Sequence, residues 1–113
     1  MAYAATQNNL GNTYQGLAEV RDKEANLKRA VAAYEQALRV YTVERFPVDY
    51  AMTQNNLGNA YLRLAEVRDK EANLGRAVAA YEQALRICTL EEYPLYHDLV
   101  MSNLTKAKNA MGE

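Results

Sequence analysis

An all-α fold of stacked helical repeats, five helices in about two and a half units, is predicted by three observations. The stretch Thr6-Gln7-Asn8-Asn9-Leu10-Gly11-Asn12, with Tyr14 beyond it, returns 47 residues later as Thr53-Gln54-Asn55-Asn56-Leu57-Gly58-Asn59, with Tyr61 beyond it. A decayed third copy, Asn103-Leu104, follows at the same interval. Residues 3–49 align with 50–96 without a gap, and roughly three quarters of the positions are identical. A fixed period of this size is the signature of stacked repeats.

Each element follows from apolar spacing. Tyr3, Leu10, Tyr14 and Leu17 fall within an arc of about 60° on a helix turning about 100° per residue. They predict helix A over 3–20, packed through a face centred on Leu10. Arg21-Asp22-Lys23 is a charged break with Asp22 as N-cap. Leu27, Ala30, Val31, Tyr34, Ala37, Leu38 and Tyr41 then predict helix B over 24–44. Glu24 to Lys28 and Glu35 to Arg39 stand in the favourable i,i+4 order on its solvated side. Phe46-Pro47 closes the unit, because proline cannot continue one helix but suits the first turn of the next.

The second unit repeats the plan at 48–67 and 71–91, closed by Tyr93-Pro94, and a fifth helix spans 95–111. In register with Gly58 and Tyr61 this last helix carries Thr105 and Lys108. Those two positions should pack helix A on its own helix B, glycine allowing close approach and tyrosine filling the groove. No helix B follows, so neither is needed there. Lys106, Lys108 and Asn109 give the polar outer face of a terminal element. The expected organisation is one domain over 1–113, with repeats at 3–49 and 50–96 and a capping helix at 97–113. The first helix has no comparable cap: either upstream repeats have been removed or it packs on another chain.

Composition narrows the function classes. The formal charge is −1, from 13 basic and 14 acidic residues, so no overall field draws nucleic acid or an anionic membrane. No apolar run approaches the roughly 18 to 20 residues that span a bilayer, and Met1-Ala2 leads into the repeat without a signal-type core. Cys88 is the single cysteine, which excludes an intrachain disulfide and agrees with a cytoplasmic residence. His97 stands alone and Cys88 replaces Tyr41 on the inner stripe of helix B as a small buried hydrophobe, so no catalytic residues and no metal or cofactor site are expected. Gly11 and Gly58 lie within helices and form no phosphate loop.

Leu-Gly-x-x-Tyr on one helix, then Ala-x-x-x-Tyr-x-x-Ala-Leu on the next, then proline, resembles the tetratricopeptide repeat. The residues are Leu10, Gly11, Tyr14, Ala30, Tyr34, Ala37, Leu38 and Pro47, and again Leu57, Gly58, Tyr61, Ala77, Tyr81, Ala84, Leu85 and Pro94. The family unit is about 34 residues, and the unit here is longer. With Asn-Asn-Leu after a proline-opened helix, the pattern is similar to the extended kinesin-light-chain-like subclass. The resemblance implies a right-handed solenoid of antiparallel helix pairs, a non-catalytic scaffold whose A helices line a concave groove for a protein or extended peptide.

Opposite Leu10, about 160° round the helix, stand Asn8 and Asn12, with Ala5, Gln15 and Gly16 beside them. Their counterparts are Asn55, Asn59, Met52, Leu62 and Arg63, then Ser102, Lys106, Leu99 and Asn109. Stacking turns them into columns, and asparagine offers both a donor and an acceptor to an extended backbone. The expected peptide-binding set is therefore Asn8, Asn12, Gln15, Met52, Asn55, Asn59, Leu62, Arg63, Ser102 and Lys106. Asn9, Asn56 and Asn103 are on the flank, either touching ligand or bonding a neighbouring helix. Two bland readings compete: the amides satisfy one another between repeats, and Met52, Leu62 and Leu99 are packing. The alternative function is a structural or self-assembling repeat, engineered or excised from a longer array, that dimerises or stacks end to end through its first helix.

Overall fold

The computed structural model describes residues 2–112. Five helices follow in order: α1 Ala2–Ala18, α2 Lys23–Leu38, α3 Pro47–Leu64, α4 Lys70–Leu85 and α5 Pro94–Met111. No strand occurs among the described residues. Each helix packs on its chain neighbours, while α1, α3 and α5 touch one another only sparsely. This is a helical-repeat solenoid with α1, α3 and α5 in one layer and α2 and α4 in the other.

Pro47 and Pro94 each open a helix, as expected. The B helices end six residues earlier than the apolar stripe suggested. Val40, Tyr41, Thr42 and Val43 are β-branched or aromatic and lose side-chain freedom in a helix. Thr42 instead closes a turn, its Oγ1 accepting from the Arg45 amide at 3.3 Å while its carbonyl accepts from Phe46 at 2.9 Å.

Asp22 does not cap α2 with its side chain. Asp22 and Asp69 adopt left-handed backbone, φ 43° in both, without a side-chain capping bond. Asn26 and Asn73, 3% and 2% exposed, hold the turn from the other side. Their Nδ2 atoms donate to the Arg21 and Arg68 carbonyls at 3.0 and 2.8 Å, and Arg29 and Arg76 donate to their Oδ1 atoms. On the outer face Glu24 pairs with Lys28 at 3.0 Å, whereas Arg39 reaches Gln36 rather than Glu35.

Helix A buries two faces, and Leu10 centres neither in unit one. Ala4, Gly11 and Ala18 form the face on α2. The ring over the glycine comes from helix B: a Cβ on Gly58 would stand 2.5 Å from Tyr81 Cε1, and Tyr34 closes on Gly11 the same way. Tyr14 packs against the cluster that holds Ala30 and Tyr34 of its own helix B, and Tyr61 against the one that holds Ala77 and Tyr81 of its own. Tyr61 packs beside Leu57 and Ala60 against Ala30 and Tyr34 of the preceding unit, and Leu64 meets Leu27. Leu57 and Leu64 are 7% and 5% exposed beneath α2, but Leu10 and Leu17, with no B helix laid over them, are 38% and 39% exposed. Helix α5 covers α4 with Val100, Leu104 and Ala107, and Cys88 is fully buried beside them.

Candidate functional site

The face shared by α1, α3 and α5 carries the asparagines, and the structure gives its two columns different tasks. In the first column the amides bridge neighbouring A helices. Asn8 Oδ1 accepts from Asn56 Nδ2 and from Thr53 Oγ1, both at 3.2 Å. One unit later Asn55 Oδ1 accepts from Asn103 Nδ2 at 3.0 Å, and Val100 stands where Thr53 did. The expectation that Asn55 points away from the packed core does not hold: it is 4% exposed. The physical reason is the sparse contact between α1, α3 and α5, which leaves a gap that polar side chains fill. Asn56 and Asn103 take the neighbouring-helix option. Asn9 is exposed on the first helix, and Ser102, in register with Asn8 and Asn55, is exposed on the last.

The second column remains accessible and is set within each unit. Tyr34 donates its hydroxyl to Asn12 Oδ1 at 2.5 Å, and Tyr81 to Asn59 Oδ1 at 2.6 Å. These hydroxyls reach the asparagines because each ring crosses a helix with no Cβ, at Gly11 and Gly58. Burial raises both phenols above the ordinary tyrosine value, that of Tyr81 the further, so they remain donors at any physiological pH. With Oδ1 engaged by the phenol, no hydrogen bond to the Nδ2 of Asn12 or Asn59 forms among the described residues, which leaves both groups free to donate. The face thus presents donors where sequence alone suggested a mixture.

Gln15 is a strut rather than a free contact. Its Nε2 donates to the Tyr34 hydroxyl at 2.9 Å and to the Asn56 carbonyl at 3.2 Å. Arg63 donates through Nη1 to the Gln15 carbonyl at 3.0 Å and to its Oε1 at 3.2 Å, and lies 4.0 Å from Glu19. That leaves the rest of the guanidinium at the edge of the face. Lys106 is exposed on α5 in the column of Asn12 and Asn59, Leu99 and Ser102 are exposed on the same helix, and Met52 and Leu62 are half-buried on α3.

Tyr34 and Tyr81 were missed as site residues. Both Asn12 to Tyr34 and Asn59 to Tyr81 span 22 residues, a recurrence visible in the sequence, but the glycine that lets ring meet amide acts only after folding. Among the described residues no three His, Cys, Asp or Glu side chains gather to hold a metal ion. No described helix is long and apolar enough to cross a membrane.

A family model described as tetratricopeptide repeat matches residues 4–39 and 51–87, one stretch in each unit. No curated protein and no solved structure gives a significant match. The kinesin-light-chain-like subclass is consistent with the matched model. With the matched stretches covering more than half its length and five packed helices in the expected order, the chain belongs to the tetratricopeptide repeat family.

Proposed function

We propose that the chain is a non-catalytic scaffold that binds an extended protein segment across α1, α3 and α5. Tetratricopeptide repeats are generally protein-interaction scaffolds. The observation that carries the finer reading is the fixed polarity of Asn12 and Asn59, whose acceptors are held by Tyr34 and Tyr81. Two free amide donors on successive A helices match carbonyl oxygens of an extended backbone, whatever its side chains. Arg63 and Lys106 add positive charge towards α5 and favour acidic side chains there. Met52, Leu62 and Leu99 supply the apolar contacts. Asn8, Asn55, Asn56, Asn103 and Gln15 serve this site by spacing the helices, and Asn9 and Ser102 flank it. The residence in this reading is the cytoplasm, where Cys88 stays a thiol.

Selection from a display library of random extended peptides tests the proposal. We expect enrichment of acidic sequences, lost when Asn59 and Lys106 are both replaced by alanine. Enrichment of basic sequences, or binding indifferent to both replacements, would count against it.

A second reading is favoured by one observation: the exposed apolar stripe of Tyr3, Leu10 and Leu17, 52%, 38% and 39% exposed. In that reading the first helix mediates self-association.

A further inference from the structure

The junction between the two units shows what the exposed stripe of α1 is shaped to receive. There the outer side of α2 lies on α3, with Leu57 and Leu64 packed beneath it and two ion pairs at its start. Lys23 Nζ meets Glu66 Oε1 at 2.6 Å, and Arg68 Nε meets Glu24 Oε2 at 3.0 Å. Helix α4 has the sequence of α2 except for Gly75 in place of the exposed Lys28. Helix α1 keeps Leu10, Leu17, Glu19 and Arg21 where α3 and its following turn hold Leu57, Leu64, Glu66 and Arg68. Both halves of the junction therefore exist a second time in every molecule, at opposite ends.

We infer that the α1 face docks α4 of a second copy of this chain, which it reaches by displacing that copy's α5. This rests on the self-association reading and names its partner surface. Lys70 and Glu71 of the incoming helix meet Glu19 and Arg21, a charge pattern that fixes register more than it adds affinity. The displaced helix is the poorer occupant. Where α3 presents Tyr61 and Leu64, α5 presents Lys108 and Met111. A cleft lined by Ala65, Lys70, Leu74 and Ala110 consequently opens at that end of α4, over the leucine whose counterpart Leu27 packs on Leu64. Thr6 and Asn9 of α1 are also placed to replace Asn103 on Asn55 Oδ1, as Thr53 and Asn56 do on Asn8.

Two features oppose the exchange and keep it concentration-dependent. Helix α5 is tethered and acts at high effective concentration. Thr13 stands where α3 has the fully buried Ala60, so the docked α1 is overpacked by one side chain. The contact joins two different surfaces, so copies add head to tail and assembly need not stop at two.

Sedimentation equilibrium of the full chain up to millimolar concentration, with zero-length carboxyl–amine cross-linking of mixed ¹⁴N and ¹⁵N protein, tests this. We expect average mass to rise continuously with concentration and mixed-isotope cross-links to join Glu19 to Lys70. Thr13→Ala should tighten association by roughly an order of magnitude. Glu19→Lys should weaken it, with partial recovery when that variant is mixed with Lys70→Glu. A strict monomer for wild type and Thr13→Ala alike overturns the inference together with the reading beneath it. Association without the Glu19–Lys70 link and indifferent to both charge reversals overturns the inference alone.

Discussion

The Tyr81 hydroxyl donates to Asn59 Oδ1 at 2.6 Å across Gly58, where an added Cβ would stand 2.5 Å from the ring. Packing code and candidate site are thus one unit: the glycine admits the ring, and the ring orients the amide.

Gly58→Ala and Gly75→Ala should move stability in opposite directions. Alanine in a helix interior is worth up to about 1 kcal/mol over glycine. At Gly75 nothing stands within 4 Å of the new Cβ, so the melt should rise by a few degrees, about 3 to 6 °C at most. At Gly58 the Tyr81 ring must move, and overpacking of about 1 to 3 kcal/mol outweighs the propensity gain. Calorimetry on the two variants checks the sign of each.

Replacing Asp69 by glycine should stabilise the fold. Its φ of 43° disfavours residues with a Cβ, and its side chain makes no capping bond to lose. A gain of up to about 1 kcal/mol is expected in urea unfolding. Asn73→Ala should do the reverse by about 1 to 3 kcal/mol, because the Arg68 carbonyl and Arg76 lose their buried partner.

Alkaline pH should unfold the protein through its buried tyrosines. Burial raises the phenols of Tyr34 and Tyr81 above their value in the unfolded chain, about 10. Their contribution is complete below pH ~10, and above it the unfolded chain releases protons that the folded one retains. Stability should then fall with rising pH, by about 1.4 kcal/mol per unit for each such group. Urea midpoints at pH 8 to 11.5 for wild type and Tyr81→Phe measure this, and the variant should show the shallower loss.

The repeat, its five helices and its proline starts were legible because they depend on local pattern. The 47-residue recurrence and the 3.6-residue periodicity need no neighbour to be read. Burial was not legible for the opposite reason. Leu10 and Leu57 are the same residue in the same motif, yet one is 38% exposed and the other 7%, and only the presence of a preceding α2 separates them. The asparagines failed to sort for a related cause. Asn8 and Asn12 share a side of one helix, and their difference arises from what lies opposite, an A helix for the first and a tyrosine of helix B for the second. The ends of α2 and α4 were overrun because an apolar stripe does not report that Val40 to Val43 in one unit, and Ile87 to Thr89 in the other, are poor helix formers.

If the second column grips its ligand through free amide donors, Asn59 is where that donor can be removed while the bond from Tyr81 is kept. Asn59→Asp keeps an acceptor for Tyr81 and replaces the free donor by an acceptor, while Ser102→Asp adds the same charge to the same face and removes no amide. Isothermal titration of a library-selected acidic peptide should show binding weakened about tenfold or more by Asn59→Asp, the loss of a hydrogen bond plus a repulsion, at an unchanged melting temperature. Ser102→Asp should weaken it far less. Equal losses in both variants, or none in Asn59→Asp, would mean that the Asn59 amide does not donate to the peptide.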